Sequence, residues 1–183
     1  MQPISSKRIP FRSIALALVC VAVLGACTQP SVPSPEAVRP SPPQDAPASL
    51  RAIRAAGDAL DSAVQVQPLR DRAIDGFLDT ARAAEKAGDY ARATTAANSA
   101  LKLAPDAPDI LQYLAEMDIA RSEWLSAEKL AIKSFTLGPK VGSLCARNWQ
   151  TVVEARIALA DTATATQAKQ RLKECRVAPR LRM

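Results

Sequence analysis

Acid–base and nucleophilic chemistry in proteins leans first on histidine, and none of the 183 residues is one. Its absence removes the commonest general base, the Ser–His–Asp and Cys–His arrangements, and most zinc sites. The sequence also has no Gly-x-Ser-x-Gly nucleophile elbow, no Walker-type phosphate loop and no Gly-x-Gly-x-x-Gly turn. What remains is carboxylates and thiols. Glu116 with Asp118, or Asp58 with Asp61, puts two acids near each other, as glycosidase-type work would need. Charges on amphipathic helices are ordinarily solvated faces, however, and neither pair carries a second feature that marks a site. No catalytic residue, metal ligand or cofactor is therefore assigned, and an enzyme is not expected. The four cysteines, Cys20, Cys27, Cys145 and Cys175, hold the remaining chemistry.

Lys7, Arg8 and Arg12 precede an apolar run from Ile14 to Leu24. That run is too short to cross about 30 Å of hydrocarbon as a helix and has the build of a targeting segment. It ends in Leu24-Gly25-Ala26-Cys27, which resembles the lipobox of bacterial lipoproteins. The resemblance implies cleavage before Cys27, with residues 1–26 as signal peptide, and lipid attached to the cysteine thiol and amine. Two or three acyl chains, at about 0.8 kcal/mol per buried methylene, anchor a chain stably without a transmembrane helix. Thr28 follows the cysteine. In enterobacterial lipoproteins aspartate at that position favours inner-membrane retention, so the resemblance favours the periplasmic face of the outer membrane. Cys20 leaves with the signal peptide and Cys27 carries lipid. Cys145 and Cys175 remain, an even pair in an oxidising compartment where disulfides persist.

The elements that follow begin with a spacer. Residues 27–48 comprise the lipidated cysteine and a linker in which every third position on average is proline and none is glycine. Proline fixes φ and lacks an N–H donor, so this segment is expected to be a disordered, semi-rigid tether of polyproline II character. The formal charge of +6 includes the three signal-peptide cations. The basic excess then sits at the C-terminal end, through Lys169, Arg171, Lys173, Arg176, Arg180 and Arg182, while residues 28–168 are slightly acidic. The basicity is a tail property, so nucleic acid is not expected as a partner. A basic tail at 177–183 suits anionic headgroups or the acidic groups of a cell-wall polymer.

From Ser49 onward apolar residues recur at helical spacing. Leu50, Ile53, Leu60 and Val64 form one stripe, with Ser49 placed to cap it and 49–67 expected as an N-terminal capping helix. Leu69, Ala73, Phe77, Thr80, Ala81 and Ala84 form another, with Pro68 at a tolerated helix start. The sequence then repeats itself at a fixed offset, the mark of a stacked-repeat architecture. Tyr90 aligns with Trp124, Ala93 with Ala127, Ala97 with Ala131, Leu101 with Phe135 and Pro105 with Pro139. The period, the Gly88-Asp89-Tyr90 turn, the alanine three positions later and the closing proline resemble the tetratricopeptide repeat. That resemblance implies an all-α fold, a short tetratricopeptide-like α-solenoid of two to three helix pairs after the Pro-rich tether. Two repeats would fill 68–141. Residues 142–176 would form a divergent terminal helical hairpin, since Asp161 falls where the offset requires alanine. The helix at 49–67 would close the other end of the stack. In such a hairpin Cys145 and Cys175 lie at neighbouring ends, and a disulfide closing about 30 residues would stabilise by roughly 3–4 kcal/mol. Two buried thiols are the alternative, and no Cys-x-x-Cys spacing supports a redox pair.

Binding is the function this leaves. In the repeat family the first helices of successive units line a concave groove for peptides or partner helices. Carried over by position, the groove would hold Asp75, Leu78, Arg82 and Glu85 from the first repeat, and Asp109, Gln112, Glu116 and Ile119 from the second. Ser143, Ala146, Gln150 and Val153 would extend it into the third unit. The family's carboxylate clamp uses lysines and asparagines at such positions, and they are missing here. The leading expectation is a lipid-anchored periplasmic scaffold or adaptor in envelope assembly, serving secretion, pilus or outer-membrane machinery. The second is a peptidoglycan-associated module that regulates a cell-wall synthase or hydrolase. Both imply protein partners in the cell envelope and membrane attachment through the anchor, and the second adds peptidoglycan itself. Cys27→Ser should leave the chain uncleaved and without lipid. Mass spectrometry of the purified variant checks this, and a mature acylated chain would contradict the lipobox assignment.

Overall fold

The computed structural model describes residues 45–60 and 70–176. Cys27, the apolar leader, the linker up to residue 44 and the 177–183 tail lie outside that range, as do residues 61–67 of the expected capping helix and Leu69. Within it are helices α1 (Ala46–Asp58), α2 (Arg72–Lys86), α3 (Tyr90–Leu103), α4 (Pro108–Ala120), α5 (Trp124–Leu137), α6 (Ser143–Ala158) and α7 (Thr162–Glu174). No strand occurs among the described residues. The architecture is all-α and tetratricopeptide-like, with α2–α3, α4–α5 and α6–α7 as successive antiparallel pairs.

Each pair closes through the same local chemistry. At the first turn Gly88 takes a left-handed φ of 78°, and Asp89 N–H donates to the Ala84 carbonyl at 2.9 Å. At the second, Ser122 takes φ 61° and Glu123 N–H donates to the Asp118 carbonyl at 2.8 Å. At the third, Ala160 takes φ 57° and Asp161 N–H donates to the Arg156 carbonyl at 2.9 Å. These bonds satisfy carbonyls that a helix end otherwise leaves bare. Asp89 and Asp161 then cap the next helix, accepting from the Arg92 and Thr164 N–H groups at 2.9 and 3.0 Å. The Thr164 bond holds the Asp161 carboxyl below its ordinary pKa.

These equivalences show what a fixed offset conceals. Gly88 and Ser122 are separated by the repeat period, but Ala160 comes later than that period would place it, because α6 is longer than α4. Asp161 is therefore the counterpart of Asp89 and Glu123, and the small residue that lets the paired helices approach is Ala165. Ala93, Ala127 and Ala165 are all buried at matching places.

The buried face of α2 is Ile74, Leu78, Ala81 and Ala84. The sequence stripe places Ala73, Phe77 and Thr80 inward as well. All three are exposed, Phe77 at 38%. Ile74 and Leu78 lie one position from Ala73 and Phe77 and share a face with Ala81, so the apolar pattern alone leaves the phase open by one residue.

The first helix differs from expectation in extent and position. It starts at Ala46, with Asp45 as N-cap and Pro47 in its first turn, where a missing N–H costs nothing. Ser49 is therefore inside the helix and buried, and its hydroxyl donates to Glu154 Oε2 at 2.9 Å. Nor does α1 cover the α2–α3 end of the stack. It packs on α6 and α4. Ser49 lies beside Glu154 near the end of α6, and Gly57 lies against Ser143 and Arg147 at its beginning, so the two helices are antiparallel. Gly57 permits that approach: a Cβ there would stand 2.6 Å from Arg147 Cγ.

The α6–α7 hairpin places the Cys145 and Cys175 sulfurs 1.98 Å apart, with Cα atoms at 5.6 Å, as a buried cystine. Gly142 N–H donates to the Cys175 carbonyl at 2.8 Å beside it. Phe135 meets Trp149 edge-on at 5.0 Å, and the Arg171 guanidinium lies 5.4 Å from the Trp149 ring centre.

Ala160 occupies a conformation that an L side chain resists and glycine does not. Ala160→Gly should stabilise the domain by about 0.5–1 kcal/mol, once the greater chain entropy of unfolded glycine is subtracted. Urea unfolding followed by circular dichroism measures it, and a destabilised variant would count against the turn assignment.

Candidate partner-binding groove

The first helices of the three pairs, α2, α4 and α6, share one side of the solenoid, and α1 lies along α4 and α6 on that side. The chain thereby fills part of its own groove. What remains open is a cavity of about 680 Å³, a size typical of ligand sites. Its floor is α4, through Asp109, Ile110 and Tyr113. One wall is α2, through Leu78, Arg82 and Glu85. The other is formed by Arg54 and Asp58 of α1 with Ser143 and Arg147 of α6.

Glu116 ties these helices together. Its side chain is fully buried. One carboxylate oxygen accepts from Arg147 of α6 at 2.7 Å and from Gln112 Nε2 at 3.1 Å. The other accepts from Arg54 Nε of α1 at 3.1 Å. Arg54 also reaches α2, with Nη2 2.6 Å from Glu85 Oε1. Burial on its own would lower the Arg54 pKa, but Glu116 and Glu85 outweigh it and hold the guanidinium above its ordinary value. Gln112 donates a second bond to Thr151 Oγ1 at 2.9 Å. A carboxylate removed from water needs such a set of donors to remain ionised.

The groove residues carried over from the repeat pattern divide accordingly. Leu78, Arg82, Glu85 and Asp109 line the cavity. Asp75 is exposed on the first turn of α2, outside the lining. Gln112, Glu116 and Ile119 are buried at 0% exposure and present nothing to a partner. Glu116 bonds α1, Gln112 bonds α6, and Ile119 packs with Leu50 and Ile53 of α1. Of the third-unit positions, Ser143 reaches the cavity, while Ala146 and Val153 are buried.

Arg54, Tyr113 and Arg147 belong to the site and were not singled out in the sequence, and Asp58 was named there only as one of a pair of acids. A signal for part of this existed. Helix α4 reads Ile-Leu-Gln-Tyr-Leu-Ala-Glu-Met-Asp-Ile and is apolar nearly all round, the mark of a helix covered on every side. Gln112 and Glu116, one helical turn apart in such a helix, must find buried partners. The Tyr113 hydroxyl is also buried, next to Glu85. Burial, with the Glu85 carboxylate nearby, raises its pKa above the ordinary phenol value.

Residues 74–117, from α2 into α4, match the family model of the tetratricopeptide repeat. The first helix pair and the start of the next are therefore similar to tetratricopeptide repeats. A solved structure described as the globular C-terminal domain of P. aeruginosa LpoP aligns with 57% of this chain and 99% of its own length. The two share 28% sequence identity, with a TM-score of 0.54. No curated protein gives a significant sequence match.

Removing the central carboxylate would leave two part-buried guanidiniums facing each other. Glu116→Ala should therefore destabilise the repeat domain by about 2–3 kcal/mol, lowering Tm by roughly 10 °C. Thermal denaturation followed by circular dichroism reads this directly. A melting curve that overlays the parent's would show that the cluster does not hold α1 in place.

Proposed function

We propose that this chain is a lipid-anchored, periplasm-facing regulator of a cell-wall synthase, acting as a non-catalytic protein-interaction module. The alignment with almost the whole LpoP domain carries the reading, because it favours the peptidoglycan synthase regulator over the general envelope scaffold. The repeat match supports protein partners. The same likeness supports an envelope position facing the periplasm. The lipobox-like Leu24-Gly25-Ala26-Cys27 is the sequence basis for the anchor, and Thr28 for the outer membrane.

A regulator without catalytic groups acts by holding its enzyme in one state. The binding energy it contributes to that state is the limit of the effect it can have. The open cavity between α1, α2 and α4 is the surface we assign to that contact, with Leu78, Arg82, Glu85, Asp109 and Tyr113 as its members. Hydrolases are the other class of cell-wall enzyme that such a module serves.

The test is a reconstituted assay with a purified glycan-polymerising synthase from the same cell and its lipid-linked precursor. Adding the protein should raise the polymerisation rate several-fold, and Arg82→Glu should reduce that effect. An unchanged rate, together with no co-purification of the two proteins, would remove the synthase reading and leave a general scaffold. Sedimentation with purified cell wall, before and after deletion of residues 176–183, separates contact with the polymer from contact with the enzyme.

A further inference from the structure

Most ionic groups around the cavity are already engaged. Arg54 and Arg147 converge on Glu116, Arg54 also holds Glu85, and Asp109 pairs with Arg70. Two groups are not held in this way, and they carry opposite charges on facing walls. Asp58, the last residue of α1, is exposed and has no ion pair among the described residues. The last turn of α1 contains no basic side chain, so its terminal carbonyls add to the negative field at that end. Across the cavity, Arg82 is paired, among the described residues, only with Asp79, one turn earlier on its own helix, at 2.9 Å. Both of those side chains are mostly exposed, at 63% and 75%, and a surface pair of this kind exchanges readily for another partner. The floor contributes a third feature, the Tyr113 hydroxyl, which is buried beside the Glu85 carboxylate. Leu78 and Ile110 supply apolar surface.

We propose that the cavity recognises a short dipolar segment of a partner protein, with a carboxylate directed to Arg82 and a lysine or arginine directed to Asp58. An aliphatic side chain between those charges packs on Leu78 and Ile110, and the Tyr113 hydroxyl meets a backbone polar group of the segment. The inference rests on the groove being the partner surface and adds the chemistry of what it takes. A segment of one sign meets an engaged or repelling group on one wall, so charge order becomes the basis of selection.

The probes are acetylated, amidated pentapeptides, titrated into the ¹⁵N-labelled protein and followed by amide shifts. Two carry both charges, Glu-Ala-Leu-Ala-Lys and its reverse, and the controls replace either Glu or Lys by Gln. One dipolar order should bind about tenfold more tightly than either control, the effect of one well-placed ion pair, with the largest shifts around Asp58, Arg82 and Tyr113. Asp58→Asn should abolish discrimination against the peptide lacking lysine, and Arg82→Gln against the peptide lacking glutamate. Both positions are exposed, so neither variant threatens folding. Equal affinities for dipolar and singly charged peptides, absence of binding at millimolar peptide, or shifts confined to another face each overturn the proposal. Were the two variants to weaken synthase stimulation without any peptide discrimination, the groove reading would stand and the dipolar chemistry would fall. Peptide discrimination with unchanged stimulation would instead overturn the synthase reading.

Discussion

A carboxylate out of reach of water must be met by donors from its surroundings, and Glu116 is met from three directions. The donors come from its own helix, from α6 and from α1. Because guanidinium–carboxylate bonds are directional, the three helices are fixed in register as well as in contact. The Arg54 link to Glu85 extends the same constraint to α2. Apolar packing of Leu50 and Ile53 on Ile119 supplies the area, but it would tolerate sliding. The ion cluster is what gives α1 one seat.

This constraint decides how much groove is left. In an open solenoid the first helices would present a continuous concave strip. Here the strip over α4 and α6 is occupied from within, and only the part bounded by α2 and the end of α1 is left open. An internal occupant is ordered by folding itself, so the remaining surface is preformed when a partner arrives. The same geometry explains Gly57, since a side chain there would push Arg147 away from Glu116.

The helical class, the period and the pairing of the first four repeat helices were legible because they rest on local chemistry. Ala93 and Ala127 mark close approach, Pro105 and Pro139 mark helix ends, and Gly88-Asp89 marks a turn. The third pair was misregistered because a rigid offset has no way to show that α6 is longer. Its turn hides further because alanine stands where Gly88 advertises the left-handed residue. The groove was legible in phase but not in occupancy. Leu78, Arg82, Glu85 and Asp109 follow from helical spacing alone. Gln112, Glu116 and Ile119 have the same spacing, and only the docking of α6 and of a helix far upstream turns them from surface into interior. No local pattern near α4 encodes where α1 goes; the all-round apolarity of α4 says only that something covers it.

The antiparallel seating of α1 on α6 also gives the domain a direction. The chain enters at Ala46, beside the far end of α6, and the cavity lies at Asp58, the opposite end of a helix about 20 Å long. Anything that holds the protein from upstream therefore attaches at one pole, while the cavity opens at the other. An attachment made at that pole leaves the opposite end of the helix, and the cavity beside it, unobstructed.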